Sequence, residues 1–266
     1  MLANRYIAMI DILGFKQMVK DMQLMDVIRL VEYLIEELSP QIAYMTRIGR
    51  SPNNDRSLSR DHKVSFGKLH FSDTVVLWTS AINADDPEHE TAMFFNLLRV
   101  VGDAIWRALI NGVPLRAGLA FGESYVDEPK QIIAGQAVVD AYLTEQAQEW
   151  MGGAVHHSCL ARPMHRYIGV HLVKYDVPTK PDTALSLRLA VDWTLPARLS
   201  NGGSEMHYGL VAREKLEQTL KGQPNLPASV QHKYSNTRAF LQSQIETRPT
   251  PESFARRDDG RAHLLT

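Results

Sequence analysis

The order of apolar runs along this chain predicts an α+β fold: a ferredoxin-like βαββαβ core with an antiparallel sheet, followed by a C-terminal α/β extension. Three observations carry that expectation. Hydrophobic residues make up 44% of the 266 residues and charged residues 22%, which is enough apolar material for a packed core and too much for a disordered chain. Short apolar runs of strand type alternate with stretches whose apolar residues recur at three- and four-residue steps, as one face of a helix requires. From the N-terminus these segments follow the order strand, helix, strand, strand, helix, strand, which gives a sheet with helices packed on one face.

The first strand is Tyr6 to Ile10, an apolar run that stops at Asp11. After Asp11-Ile12-Leu13-Gly14-Phe15 the pattern becomes helical, with Phe15, Met18, Val19, Met22, Met25, Ile28, Val31, Ile35 and Leu38 recurring at three- and four-residue steps and Pro40 just beyond. The methionines of this pattern read as core or dimer packing. Residues 47–63 are polar and read as a loop. Lys68 to Phe71 and Thr74 to Trp78 form a hairpin around Ser72-Asp73. Asp85-Asp86-Pro87-Glu88 starts a second helix, with a capping carboxylate, a proline in the first turn and acids at the positive end of the helix dipole. Met93 to Leu109 supply its apolar face, and Asn111-Gly112 ends it. Pro114 to Phe121 is the next strand, and Gly135 to Trp150 a third helix. Strand-like pieces follow at His171 to Tyr175 and Leu187 to Trp193, then helical ones at Arg213 to Leu220 and Pro227 to Ile245. The expected division is a core over 1–160, an extension packed on it over 161–247, and a polar tail over 248–266.

Charge and cysteine content exclude several classes of function. Lys plus Arg is 29 and Asp plus Glu is 30, a formal net charge of −1, so no basic field is available to grip a phosphate backbone and nucleic acid is not an expected partner. The single cysteine, Cys159, rules out an internal disulfide framework. His156, His157, Cys159 and His165 cluster, but their spacing matches no common zinc site. No window reaches the roughly 20 apolar residues of a membrane helix, and the N-terminus lacks a signal-like segment, so the expected location is the cytoplasm, without membrane insertion. There is no P-loop, dinucleotide glycine motif or nucleophile elbow. Lys233 and Tyr234, on the last helix, read as packing residues.

Two carboxylates stand out. Asp11 ends the first strand, Asp73 sits in the hairpin turn, and in a βαββαβ sheet the first strand and the hairpin are neighbours. Two carboxylates brought together repel unless a cation lies between them, and Mg²⁺ binds through one or two carboxylates plus substrate phosphates. Ile12-Leu13-Gly14-Phe15 then leads into a helix, where exposed backbone N–H groups make an anion site at Leu13, Gly14 and Phe15. Each feature has a plainer reading beside it. An Asp before a helix is an N-cap, and an Asp in a hairpin is ordinary turn chemistry.

These residues resemble the catalytic domain of class III nucleotide cyclases. Tyr6-Ile7-Ala8-Met9-Ile10-Asp11-Ile12-Leu13-Gly14-Phe15 is similar to that family's first strand, metal aspartate and phosphate loop, and His70-Phe71-Ser72-Asp73-Thr74-Val75-Val76-Leu77 to its hairpin with the second metal aspartate. Leu115-Arg116-Ala117-Gly118-Leu119-Ala120-Phe121-Gly122 and Ala134-Gly135-Gln136-Ala137-Val138-Val139-Asp140-Ala141 are similar to its next strand and helix. The resemblance spans roughly residues 5–150. It implies that Asp11, the Ile12 backbone carbonyl and Asp73 hold two Mg²⁺ or Mn²⁺ ions per active site. It also implies that a 3′-hydroxyl attacks its own α-phosphorus with loss of pyrophosphate, and that the site forms in a homodimer.

The chain departs from the family at Ser72, where glycine is usual, and in its base pocket. The family's purine-reading lysine and polar partner fall on Leu69 and on Ile132 or Ile133, all apolar, while Lys68 points to the opposite face. Its transition-state asparagine and arginine fall on Val139 and Leu143, or on Asp140 and Thr144. Arg116, Arg47, Arg50 and Lys16 are the cations left to replace them. These departures resemble the pyrimidine cyclases of bacterial antiphage defence, which make cyclic UMP or cyclic CMP. That resemblance implies a nucleoside triphosphate substrate, UTP before CTP, and a separate effector protein that responds to the cyclic product. A purine cyclase with unusual base contacts and a degenerate nucleotide-binding module are the alternatives.

Overall fold

Alternation along the first strand decides the architecture. The structure, a computed structural model, describes residues 1–38, 43–44, 63–64, 66–161, 169–195, 213–218 and 227–247. Strand β1 (Leu2–Ile12) is buried from Arg5 to Ile10. Its even positions Tyr6, Ala8, Ile10 and Ile12 join one hydrophobic cluster and its odd positions Ile7 and Met9 another. A strand buried on both faces has to lie inside a sheet covered on both sides.

The residues of the first expected helix form two. Helix α1 (Phe15–Asp21) stops at Met22, and α2 (Leu24–Glu37) restarts after Gln23, whose backbone is extended. The apolar stripe through Phe15 and Met18 lies about a quarter turn or more from the one through Val27 and Leu34, so one straight helix could not bury both. The break re-aims α2 onto the core. It also leaves Met22, Met25 and Ile28 exposed, so these are not core residues.

Ala43–Tyr44 (β2) and Lys63–Val64 (β3) form a small antiparallel ladder. Strands β4 (Phe66–Phe71) and β5 (Thr74–Thr79) are the expected hairpin, and β5 lies antiparallel against β1. Helix α3 (Pro87–Ile110) begins as the sequence predicts: the Asp86 carboxylate accepts the His89 N–H at 3.0 Å and Pro87 takes the first turn. Phe94, Leu97, Leu98 and Val101 of α3 pack on the even face of β1.

Strand β6 (Leu115–Asp127) is longer than its apolar run, because beyond Phe121 it pairs with β7 (Ile132–Ala134) in a projecting hairpin. Helix α4 (Gln136–Ala147) then packs Ala137 and Ala141 against Ile7 and Met9, on the face opposite α3. The expectation of helices on one face is therefore corrected: α2 and α3 cover one face and α4 the other.

The chain continues through β8 (Gly152–Val155), β9 (Leu172–Lys174) and β10 (Leu189–Val191). Among the described residues they complete an eight-stranded sheet of order β4-β5-β1-β6-β8-β10-β9, with β7 paired to β6. The β6–β8 contact is parallel, so the sheet is antiparallel except at that seam. The extension thus adds strands to the core sheet. Helix α5 (Ala228–Thr247) closes it, with the Phe240 ring set against Trp150 at 4.8 Å and Tyr175 at 4.9 Å. Residues 213–218 are helical, as expected, while the expected loop at 47–63 and the tail at 248–266 lie almost wholly outside the described residues. Among the described residues no helix is long and apolar enough to cross a membrane.

Candidate active site

The last residues of β1 and the β4–β5 turn meet at one end of the sheet. Asp11 stands opposite Thr74 of β5 and Arg116 of β6, so the three side chains share a face. Thr74 Oγ1 donates to Asp11 Oδ1 at 3.4 Å, and Arg116 Nη2 lies 4.0 Å from Asp11 Oδ2. The Ile12 N–H donates to the Asp73 carbonyl at 3.1 Å, which ties the end of β1 to the turn. Burial, then the carboxylates of Glu145 and Asp73, push the Asp11 carboxyl up to about 6, against the pull of Arg116 and the Thr74 hydroxyl.

The structure thus brings Asp11, Ile12 and Asp73 together. The turn that carries Asp73 has a positive φ of 58° at Ser72 and none at Asp73, the pattern of a type II′ hairpin, where glycine is the easy residue. The donors are hard oxygens crowded into a negative site, which fits a divalent ion such as Mg²⁺. Among the described residues no group of three or more His, Cys, Asp or Glu is arranged to hold a metal. A site here would therefore rest on two carboxylates, a carbonyl and the phosphates of a ligand. His156 instead pairs with the Ser158 hydroxyl at 2.9 Å, Cys159 is fully buried with its thiol pushed up by desolvation, and His165 lies outside the described residues.

The expected phosphate loop is present with one amide fewer. The Leu13 N–H donates to the Pro114 carbonyl at 2.9 Å, so it is not available to an anion. Gly14 has φ 80° and opens α1, and the Gly14 and Phe15 amides have no protein acceptor among the described residues.

Leu69 and Ile132 line one cavity of about 330 Å³, together with Trp78 and Ile133. Both alternatives for the second base-pocket position, Ile132 and Ile133, therefore reach it. Lys68 points to the other face, where its Nζ donates to the Ile35 carbonyl at 3.1 Å. Val139 and Leu143 lie on the exposed side of α4, whereas Thr144 is buried.

Sequence reasoning missed Glu145. It is buried on α4 and accepts a short hydrogen bond from Arg116 Nε, while Arg116 Nη1 donates to the Gln148 carbonyl at 2.9 Å. Of the cations considered for the site, Arg116 is the one beside Asp11, and it is already paired. Lys16 lies exposed on α1, and Arg47 and Arg50 are outside the described residues. A glutamate two residues before the end of a helix with no pronounced apolar stripe carries no sequence signal of burial; only the close packing of α4 on β6 reveals it.

No protein-family model matches this chain, and no curated protein sequence matches it. Similar solved structures include a bacterial light-regulated adenylyl cyclase, with TM-score 0.46 and 12% identity over 83% of this chain and 58% of that one. The catalytic core of a rhodopsin–guanylyl cyclase with converted specificity, in complex with ATPαS, gives TM-score 0.39 and 11% identity over 71% of this chain and 93% of that one. An adenylate cyclase from Trypanosoma brucei gives TM-score 0.38 and 10% identity over 71% of this chain and 88% of that one. The chain thus spans less than two thirds of the first of these structures.

Proposed function

We propose that this chain is a metal-dependent nucleotide cyclase that converts a pyrimidine nucleoside triphosphate, UTP in preference to CTP, to its 3′,5′-cyclic monophosphate and pyrophosphate. The observation that carries the reading is the convergence of Asp11, Ile12 and Asp73 at the end of β1. In this reading Asp11, the Ile12 carbonyl and Asp73 hold two Mg²⁺ or Mn²⁺ ions. When bound, the ions supply Lewis-acid polarisation of the 3′-hydroxyl and of the phosphate oxygens.

The chain's own residues bind and orient. The free amides of Gly14 and Phe15 receive phosphate oxygens. Arg116 and Thr74 fix the Asp11 carboxylate from both flanking strands. The 3′-oxygen forms a bond to the α-phosphorus as its proton passes to water, the bond from that phosphorus to the bridging oxygen breaks, and pyrophosphate leaves with the electron pair of that bond. The apolar side chains of Leu69 and Ile132 support a base other than a purine read by lysine and aspartate. A homodimer, a separate effector protein for the product and a role in antiphage signalling rest on the resemblance of the sequence alone.

The test is incubation of the purified chain with each of the four nucleoside triphosphates and Mg²⁺ or Mn²⁺, with products identified by mass spectrometry. Cyclic UMP is the expected product, and cyclic AMP alone overturns the base assignment. Asp11→Asn and Asp73→Asn are each expected to reduce turnover about 100-fold or more. The exposed apolar pair Val139 and Leu143 favours a second reading, a module that binds a nucleotide without turnover. Nucleotide binding without release of pyrophosphate would decide for it.

A further inference from the structure

Among the described residues, Arg5 is a buried cation with no carboxylate paired to it. It stands on β1 on the same face as Ile7, Met9 and Asp11, and it is only 6% exposed. Its Nη1 donates to the carbonyls of Ala3 (3.2 Å) and Ser124 (2.9 Å), with Ser124 Oγ at 3.5 Å. A guanidinium has five N–H donors, and among the described residues those on Nε and Nη2 meet no protein acceptor. Desolvation lowers its pKa, and no carboxylate opposes that shift. These donors are not sealed in the core: they open on the cavity that Arg5 lines, where a ligand can reach them.

The space in front of Arg5 is built for a ring. Arg5 lines a cavity of about 650 Å³ with Trp78, Asp127 and Glu128. This cavity adjoins the one holding Leu69 and Ile132, since Phe66, Gly67, Trp78, Asp127 and Glu128 line both. Gly67 makes the arrangement possible: a Cβ there would lie 2.1 Å from Cε2 of Trp78, so only glycine lets the indole lie against β4. A flat heterocycle resting on that indole gains stacking energy. It would find N–H donors on one side, from Arg5; the Asp127 carboxylate is already held by Lys130 Nζ at 2.7 Å and by the Tyr125 hydroxyl at 3.1 Å, which leaves Glu128 as the acceptor lining the cavity. That pairing of donor and acceptor fits a base in which a ring carbonyl adjoins a ring N–H. Uracil and guanine have that edge; cytosine and adenine do not.

We propose that Arg5 is the base-reading residue, donating from Nε and Nη2 to the carbonyl edge of a keto base such as uracil. The inference deepens the cyclase reading and rests on it, because it adds a guanidinium donor to the pocket at Leu69 and Ile132, whose polar lining includes Asp127, Glu128 and Gln131. The leading competitor is a carboxylate from a second copy of the chain closing on Arg5.

The experiment measures binding without turnover. The full chain, metal-free in EDTA, is titrated with UMP, CMP and AMP by saturation-transfer NMR and tryptophan fluorescence. UMP is expected to bind more tightly than CMP or AMP, and Arg5→Lys and Arg5→Met to weaken UMP by about 10-fold or more. Thermal melting separates loss of binding from loss of fold. Should neither variant fold, the guanidinium Nε–H resonance of Arg5 in the unaltered chain must shift on addition of UMP and not of AMP. Unchanged UMP affinity in a folded variant, or an Arg5 resonance indifferent to UMP, overturns the proposal. So does dissociation of a dimer by Arg5→Met with UMP binding intact. Arg5-dependent UMP binding by a chain that makes no cyclic nucleotide would instead sink the cyclase reading and leave this one standing. Turnover of UTP with the same UTP-to-ATP ratio of kcat/KM in Arg5→Lys would do the reverse.

Discussion

Asp11 meets two opposed demands at the scale of a single residue. In the proposed role its carboxylate must be ionised to hold a cation, yet burial and the neighbouring carboxylates of Glu145 and Asp73 raise its pKa from 3.8 to about 6. Between those values the folded chain binds a proton that the unfolded chain does not, so the stability owed to Asp11 is present below about pH 4 and is lost as pH rises through 6. Above that, the metal-free protein carries a strained ionised carboxylate. Asp11→Asn is therefore expected to stabilise the metal-free chain at pH 8, by about 1–3 kcal/mol, and to bring little or no gain near pH 4. Thermal melts in EDTA at the two pH values check this, and a destabilised Asp11→Asn at pH 8 would contradict it. Adding Mg²⁺ should raise the melting temperature of the unaltered chain and not that of the variant, since an ion bound only by the folded state stabilises it by mass action.

The packing of one helix on one strand builds the charged surroundings of Asp11. A Cβ on Gly118 of β6 would lie 2.3 Å from the Ala141 carbonyl oxygen and 2.4 Å from the Glu145 nitrogen, so α4 rides directly on the strand backbone. That approach places Glu145 beside Arg116, and Arg116 beside Asp11. Gly118→Ala is expected to push α4 off the strand at a cost of about 2–3 kcal/mol. Arg116→Met should cost about 3–5 kcal/mol by leaving Glu145 buried and unpaired, and Arg116→Met with Glu145→Met should recover most of it. Urea unfolding of the three variants separates these cases, and a double variant as unstable as the single one would show that the pair is not what Arg116 serves. The same elements mark how far sequence reasoning reaches. The strand-to-helix change at Asp11 and the hairpin at Asp73 are local patterns, and both were legible. The seam formed by β8 was not, because Gly152-Gly153 reads as a turn. The glycines are there because a Cβ at Gly152 would lie 2.6 Å from the Trp150 ring, and one at Gly153 would lie 3.0 Å from Val191. Nor was the pairing of Arg116 with Glu145 legible, since it depends on which turn of α4 faces β6.

At the scale of the whole molecule, the proposed roles of Arg5 and Asp11 together require that one copy of the chain does not make a complete site. Arg5 and Asp11 lie on the same face of β1 but six positions apart, about 20 Å along the strand. That is farther than a ribose separates a base from its α-phosphate, so a nucleotide whose base rests near Arg5 cannot present its reacting atoms to Asp11 of the same copy. Exposed apolar side chains occur at Phe71 (83% exposed) beside the β4–β5 turn and at Val139, Tyr142 and Leu143 on the helix α4 that covers this face. Exposed apolar side chains are the kind that an interface between chains covers. If two copies share each site, with the base pocket from one and the carboxylates from the other, two inactive variants should repair each other. Asp11→Asn loses the cation site and Leu69→Glu blocks the base pocket, so each alone is expected to be inactive. Mixed and allowed to exchange, half of the pairs are heterodimers. In each of these one site carries both lesions and the other carries neither. Activity is therefore expected to recover to about a quarter of that of the unaltered chain, since one site in four is intact. Cyclic nucleotide formation by the mixture, measured against each variant alone, reads this directly. A mixture as inactive as its components, with exchange verified by native mass spectrometry, would place the whole site within one chain and remove the reason for a dimer.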